Sequence, residues 1–288
     1  MKILWMTSLR PIGASKENDK IQNLFINSVQ NIDKNIKFSL TQFDDSGVRN
    51  YLKKKKINSF FKNYKKKFLP KGKKYSNKIM LINALNQYLN NNFSYLVYST
   101  ADIVIPANIF DEMVKVNKFH KKKEYCALVY PNILVKNGKI KSLSAPHYGI
   151  DIFIFKLNRT SVKKLINSIK YWDQYDWGIN DNFYVSICDL LNLPIYNLYK
   201  RTSILKFEND FKTINESRNW QISSWNLNKK YFLNFLKKNN LTSFYAHGSY
   251  YYLLLKILRI RDLNFKLTTT YLKFYSLLPF RIIVKIFK

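Results

Sequence analysis

Along the first half of the chain, segments whose apolar residues are spaced as in a strand alternate with segments whose apolar residues are spaced as in a helix. An apolar run at residues 3–6 predicts a short buried strand over residues 2–7, and apolar positions at helical spacing in residues 15–31 predict a helix with Ser15 as its N-cap. Residues 36–43 alternate as in a strand and end in a predicted polar loop at residues 44–47. The order strand, helix, strand is typical of a parallel α/β sheet.

Predicted strands and predicted helices continue to alternate to about residue 200. The dipeptide Asn137-Gly138 interrupts alternating residues at 133–143 and predicts a β-hairpin. Residues 93–106 are expected to hold a buried strand whose carboxyl end leads into residues 100–106. The further strands are predicted at residues 95–98, 125–130, 149–155 and 195–198, and the further helices at residues 78–89, 107–119, 160–171 and 182–191.

Composition supports a large folded core. The chain has 288 residues, of which 47% are hydrophobic, so global disorder is excluded. Seven glycines are too few for a many-turned β-sandwich. Cys126 and Cys188 lie inside apolar runs and are expected to be small buried hydrophobes. No apolar stretch reaches the roughly 18 residues that a membrane span needs.

The charge is strongly unbalanced, with 49 Lys and Arg residues against 18 Asp and Glu residues. Such an excess favours an anionic partner, either a polyanion or a membrane leaflet. Thirteen of the basic residues lie within residues 49–78. Residues 250–288 combine eight basic residues with many bulky apolar ones, a pattern typical of helices that lie in a membrane interface. The alternative is a pair of helices that packs on the rest of the protein.

Polar residues follow three of the predicted strands. In open α/β sheets, ligands bind at the carboxyl ends of the strands. A carboxylate that leaves a buried strand needs a partner, and a divalent cation is a natural one, although a helix-capping role remains the alternative for such an aspartate. The residues are Thr7, Ser8 and Arg10 after the first strand, Asp44 and Asp45 after the second, and Thr100, Ala101 and Asp102 after the third.

The region around Asp102 resembles the core of GT-A glycosyltransferases. In that family, a helix that bears an asparagine, here Asn83, precedes a strand ending in an Asp-x-Asp motif, followed by a hydrophobic step and a proline, here Pro106. Thr100 stands at the first aspartate of that motif, and Asp102 stands at the second. The resemblance extends over residues 2–248 and implies a Rossmann-like, mixed but mainly parallel sheet flanked by helices.

A second segment carries the same resemblance. Residues 177–181 are similar to the family's Trp-Gly-x-Glu-Asp segment, which opens a helix and supplies the catalytic base. The resemblance therefore implies that Asp181 is the base of an inverting, hexosyltransferase-like enzyme, with Asp151 as a second catalytic candidate. It also implies that Asp102 and His247 bind Mn²⁺ or Mg²⁺.

The remaining site residues follow from the same resemblance. The predicted nucleotide-sugar contacts are Thr7, Ser8, Arg10, Asp44, Asp45, Lys78, Asn83, Thr100, Ala101 and Asp102, and the predicted acceptor contacts are His147, Gly149, Trp177 and Gly178.

The expected function is transfer of a sugar from a nucleoside-diphosphate donor to a saccharide or lipid-linked acceptor in the assembly of cell-surface polysaccharide. Residues 1–249 would form the catalytic domain, and residues 250–288 would hold it on the inner face of the cell membrane, with no nucleic-acid partner. Three alternatives are a basic nucleic-acid-binding protein without catalytic activity, a scaffold protein, and a sugar-phosphate nucleotidyltransferase.

Overall fold

Two β-sheets form the frame of the molecule. The structure is a computed structural model, and it describes residues 1–13, 15–32, 37–43, 45–62, 76–119, 124–136, 138–142, 150–175, 180–198, 202, 204–208, 214–241 and 261–262. The strands are β1 Lys2–Met6, β2 Lys37–Phe43, β3 Asn58–Lys62, β4 Tyr95–Ser99, β5 Ile103–Val104, β6 Tyr125–Val129, β7 Ile133–Lys136, β8 Lys139–Ser142, β9 Ile152–Lys156, β10 Ile195–Asn197, β11 Leu205–Glu208 and β12 Arg261–Asp262. The helices are α1 Lys16–Gln30, α2 Ser46–Lys54, α3 Asn77–Asn90, α4 Ile109–Phe119, α5 Arg159–Ser168, α6 Asn180–Leu190 and α7 Ile214–Lys238, with a 3₁₀ turn at Ile169–Tyr171.

The larger sheet is mixed but mainly parallel, as predicted. Its strand order is β12-β10-β6-β9-β4-β1-β2-β3. Strand β9 runs antiparallel to β4 and β6, and the other neighbouring strands are parallel. Ile3 and Trp5 pack against one layer of helices, and Leu4 and Met6 pack against the other. The sheet therefore has a hydrophobic core on each face, which is why residues Ile3–Met6 of β1 are all apolar.

Local signals in the sequence formed as expected in several places. The Ser15 side chain accepts a hydrogen bond from the Asn18 backbone N–H and caps α1. Strands β7 and β8 pair with Lys136 opposite Lys139, and Gly138 in the two-residue turn has φ +74°. Cys126 and Cys188 are buried thiols, as predicted.

The prediction of a loop at residues 44–47 was wrong for its second half. Ser46 and Gly47 form the first turn of α2, and the Asp45 carboxylate caps this helix by accepting a hydrogen bond of 2.9 Å from the Val48 N–H. Polar residues that resemble a loop are also the residues that begin helices. Strand β3 follows α2, and both lie in the basic segment for which no regular element was predicted.

The smaller sheet contains elements that the periodicity did not reveal. Its strand order is β5-β11-β7-β8, with β11 antiparallel to β5 and parallel to β7. The segment at residues 93–106 is therefore divided, because β4 belongs to the large sheet and β5 to the small one. Helix α7 was also missed.

The basic C-terminal segment lies largely outside the described residues. Residues Arg261 and Asp262 form β12, which pairs with β10. No helix in the described part of the chain is long and apolar enough to cross a membrane.

Candidate active site

The carboxyl ends of β1 and β4 are joined by hydrogen bonds between uncharged groups. Thr7 follows β1, is completely buried, and donates from Oγ1 to the backbone oxygen of Ser99 over 3.0 Å. The Trp5 indole N–H donates to Ser99 Oγ over 2.7 Å. We call Trp5, Thr7 and Ser99 the neutral edge. It fixes the point at which residues 100–102 leave the large sheet.

Residues 100–102 are held next to Asp151. The Thr100 N–H donates to the Asp151 backbone oxygen over 3.3 Å, and Thr100 Oγ1 donates to Asp151 Oδ1 over 3.2 Å. The register of β4 and β9 places Ser99 opposite Ile152, so Asp151 lies where β9 begins and β4 ends. Thr100, at the first position of the Asp-x-Asp motif, therefore binds a neighbouring carboxylate through its hydroxyl.

Lys206 enters the same region from β11. Its backbone lies opposite Ile103 of β5, and the Phe207 N–H donates to the Asp102 backbone oxygen over 2.8 Å. The Lys206 ammonium forms a hydrogen-bonded ion pair with Asp151 Oδ1. The side chains are 18% exposed for Lys206 and 3% exposed for Asp151, so the pair is shielded from water.

The charges of nearby carboxylates outweigh the effect of burial on the pKa of Lys206. Burial alone would lower the pKa of this ammonium, but the charges of Asp151, Asp102 and Asp181 raise it above its usual value. Lys206 therefore remains a fixed positive charge throughout the physiological pH range.

Asp181 completes the cluster from the first turn of α6. Its Oδ2 accepts a hydrogen bond of 3.0 Å from the Ile150 N–H, which precedes Asp151. Burial of the carboxylate raises the pKa of Asp181 to about 7, and the charge of Asp151 adds to this effect, while the Ile150 hydrogen bond and Lys206 oppose it. A carboxylate with a pKa near neutrality can accept a proton in one step and release it in another.

Aromatic stacking holds α6 in place behind Asp181. Phe183 stacks on Trp172 with ring centroids 3.5 Å apart and planes within 2°. Tyr184 stacks on Tyr98 of β4 at 4.2 Å. These buried contacts anchor the helix two and three positions after Asp181. The position of Asp181 is therefore set by core packing.

We call Asp102, Asp151, Asp181 and Lys206 the charged junction, since they meet where the two sheets join. Sequence reasoning selected the three aspartates but missed Lys206. The alternation of Leu205–Glu208 is a weak strand signal, and only the pairing of β11 with β5 brings this lysine to the aspartates.

The structure also describes five further predicted contact residues, which are Ser8, Arg10, Lys78, Asn83 and Ala101. Ser8 and Arg10 are exposed just beyond β1, and Arg10 Nη1 donates to Asn18 Oδ1 over 3.1 Å. The Lys78 ammonium donates to the Lys170 backbone oxygen, in the 3₁₀ turn. Asn83 is half-buried on α3, and Ala101 packs against the core.

Several predicted residues cannot be placed. Asp44, His147, Gly149, Trp177, Gly178 and His247 lie outside the described residues.

The described residues do not fit a divalent cation well. Asp102 Oδ1 is buried without a hydrogen-bond partner in the described part of the chain, as a ligand oxygen would be. In that part, no group of three or more His, Cys, Asp or Glu side chains is arranged to hold a metal, and His247, the second predicted ligand, lies outside it. The Lys206 ammonium already binds Asp151 Oδ1, so a cation beside this carboxylate would lie close to a positive charge.

Comparison with solved structures identifies the fold. The S. aureus TarS fragment 1–349, solved in complex with UDP-GlcNAc, has a TM-score of 0.50 and 12% sequence identity, over 90% of this chain and 67% of that chain. This chain has the nucleotide-sugar transferase fold. At this identity, the likeness shows the GT-A-like fold alone.

Two other structures with likeness to this nucleotide-sugar transferase fold score lower. Glucosyl-3-phosphoglycerate synthase from Mycobacterium tuberculosis, solved with Mn²⁺, UDP and phosphoglyceric acid, has a TM-score of 0.45 and 7% identity over 84% of this chain and 79% of that one. The inositol-1-phosphate CTP transferase of T. maritima has a TM-score of 0.42 and 10% identity, over 77% and 95%. Neither a family model nor a curated protein matches the sequence.

Proposed function

We propose that the protein is a glycosyltransferase that moves a sugar from a nucleoside-diphosphate donor to a saccharide or lipid-linked acceptor, with the charged junction as its active site. One observation carries the proposal: three aspartates and a lysine from four separate segments converge at the carboxyl end of β4. Open α/β sheets bind ligands at this edge. The nucleotide-sugar transferase fold supports the same reading.

In the proposed reaction, Asp181 is the general base. It takes the proton from an acceptor hydroxyl as that oxygen forms a bond to the anomeric carbon of the donor sugar. The bond from this carbon to the diphosphate oxygen breaks at the same time, and the nucleoside diphosphate leaves with the electron pair, which inverts the anomeric centre. The pKa of Asp181, about 7, suits a base that works near neutral pH.

The donor and acceptor would approach from different sides of Asp102. Thr7, Ser8 and Arg10 lie at the end of β1 and would contact the nucleotide. Asp151 would keep Lys206 and Thr100 in position, and it stays the second candidate for acid–base work that the resemblance implies. The acceptor side would include His147, Gly149, Trp177 and Gly178.

A bound Mn²⁺ or Mg²⁺ on Asp102 and His247 stays a prediction. Such an ion would neutralise charge on the leaving diphosphate. Because the described residues do not fit it, no step of the proposed reaction depends on it.

Attachment to the inner face of the cell membrane and a role in surface polysaccharide assembly are part of the proposal. The net charge of +31 and the basic, apolar residues 250–288 support them, with residues 1–249 as the catalytic domain. The full chain should float with vesicles containing anionic phospholipid and remain in solution with uncharged vesicles. Equal behaviour with both would contradict the membrane proposal.

Nucleotide binding tests the proposal as a whole. Thermal unfolding is measured with UDP, GDP, CDP and ADP, each with Mn²⁺, with Mg²⁺ and with EDTA. We expect one nucleotide to raise the Tm of the wild type and to have a smaller effect in Arg10→Ala, which removes a predicted cationic contact to the nucleotide, while Asp111→Ala, at an exposed aspartate of α4, responds as the wild type does. If none of them shifts the Tm while random oligonucleotides bind in a salt-sensitive way, the nucleic-acid-binding alternative takes its place.

A further inference from the structure

Lys206 is a buried cation to which the sequence assigned no role. It lies on β11, one residue before the backbone group that binds Asp102, and its ammonium is paired with Asp151. A lysine placed for solubility would be exposed, as Lys139 and Lys141 are on strand β8 of the same sheet. Burying an ammonium is costly unless it serves a specific contact.

The position of Lys206 is imposed by the small sheet. Its neighbour Phe207 binds the backbone of Asp102, and the pairing of β11 with β5 places Lys206 opposite Ile103. The lysine backbone is therefore fixed beside the residue at which the donor diphosphate is expected. Only the side chain needs to reorient for the ammonium to contact a ligand there.

The ammonium has hydrogen-bonding capacity beyond its contact with Asp151. A lysine carries three N–H donors, and within the described part of the chain Asp151 is its hydrogen-bond acceptor. The same ammonium can therefore bridge Asp151 and a second anionic oxygen. Phosphate oxygens are strong acceptors for such charge-assisted bonds.

A metal and this ammonium would repel each other. The Asp102 carboxylate, at which the metal is predicted, lies near enough to stabilise the charge of the Lys206 ammonium, so a divalent ion there would bring two positive charges together. The carboxylates of the charged junction are also not arranged as a metal-binding group in the described residues. The chain itself therefore already places a positive charge, the Lys206 ammonium, where the charge of the leaving diphosphate has to be neutralised.

We propose that Lys206 binds the donor diphosphate directly and serves in place of a divalent cation. This inference rests on the proposed glycosyltransferase function and deepens it. It predicts that nucleotide binding persists without divalent metal and depends on the lysine.

The test is calorimetric titration of the full chain with UDP and with GDP, in EDTA and in Mn²⁺. For the nucleotide that binds, we expect the Kd in EDTA to lie within about threefold of the Kd in Mn²⁺. Lys206→Met combined with Asp151→Asn should raise the Kd on the order of tenfold or more, because a charge-assisted contact is lost. The double variant removes both members of the ion pair, so Asp151 is not left as an unpaired buried charge, and circular dichroism verifies that the variant folds.

Lys141→Met is the matched control, since it removes an exposed lysine of the same small sheet and should leave the Kd unchanged. Binding that requires Mn²⁺ would overturn the inference and leave the proposed function intact, as would a folded double variant that binds like the wild type. No binding of either nucleotide under any condition would overturn the inference, and failure of the whole nucleotide panel would overturn the proposed function as well.

Discussion

The neutral edge and the charged junction lie next to each other along β4, but they are built in different ways. The neutral edge joins Trp5, Thr7 and Ser99 on adjacent strands of one sheet through hydrogen bonds of 2.7 and 3.0 Å. The charged junction joins four segments, drawn from both sheets and from helix α6, through an ion pair and carboxylate contacts.

This difference in construction indicates that the two regions have different roles. Uncharged hydrogen bonds contribute modestly to stability and do not change with pH. Buried charges of opposite sign are stable only together, and their protonation depends on one another. The neutral edge therefore positions the chain, and the charged junction is where proton transfer and anion binding can occur.

Breaking the ion pair is expected to have the largest effect on stability. Lys206→Met leaves the buried Asp151 carboxylate without its ammonium and should lower the free energy of unfolding by roughly 3–5 kcal/mol. Lys206→Met combined with Asp151→Asn should recover most of this loss. Urea denaturation measures both, with Lys141→Met expected within about 0.5 kcal/mol of wild type. A single variant as stable as Lys141→Met would show that the pair contributes nothing.

Replacement of Asp181 should have a smaller effect that depends on pH. The pKa of Asp181 is about 7 in the folded state against a usual value of 3.8, so the folded state binds the proton more tightly. This favourable contribution is complete below pH 3.8 and is lost as the pH rises through about 7.

Asp181→Asn removes the cost of burying the charge and should therefore be more stable than the wild type at pH 8.5. We expect a difference on the order of 2 kcal/mol, about half of the full linkage value because the residue keeps some contact with solvent although its carboxylate is buried, and a smaller difference at pH 5. Urea denaturation of both proteins at the two pH values measures it. A difference that is the same at pH 5 and pH 8.5 would show that Asp181 is an ordinary surface carboxylate.

The smallest effect is expected at the neutral edge. Thr7→Val keeps the side-chain volume but loses the hydrogen bond to the Ser99 carbonyl, which should lower the free energy of unfolding by about 1 kcal/mol at both pH values. The same denaturation series provides the measurement. A loss that changes with pH would mean that the two regions are electrostatically coupled, against the comparison made above.

The fold was predictable where its signals are local. The cap at Ser15, the apolar strand β1 and the Asn-Gly hairpin depend on a few neighbouring residues, and each formed as expected. Asp45 shows the limit of such signals, because a loop aspartate and a helix-capping aspartate look the same in sequence. Strand β3 was hidden because the lysines around it obscure a short apolar core.

The charged junction was predictable only in part. Asp102, Asp151 and Asp181 were selected by their order along the chain, which resembles a known family. Lys206 was missed because it reaches them through the pairing of Leu205 with Val104, two residues about a hundred positions apart. Sequence periodicity carries no information about which distant strands pair, and so the cation of the site could not be foreseen.

Turnover of nucleotide sugars by wild type and Asp181→Asn tests the central claim most directly. The full chain is incubated with a panel of UDP-, GDP- and CDP-sugars, with water as the acceptor, and the released nucleoside diphosphate is measured. We expect release by the wild type with a kcat that increases as the pH rises through about 7, a loss of roughly 10²–10⁴-fold in Asp181→Asn, and no loss in Asp111→Asn. Turnover by Asp181→Asn at the wild-type rate, or no release from any sugar in the panel, would contradict the account.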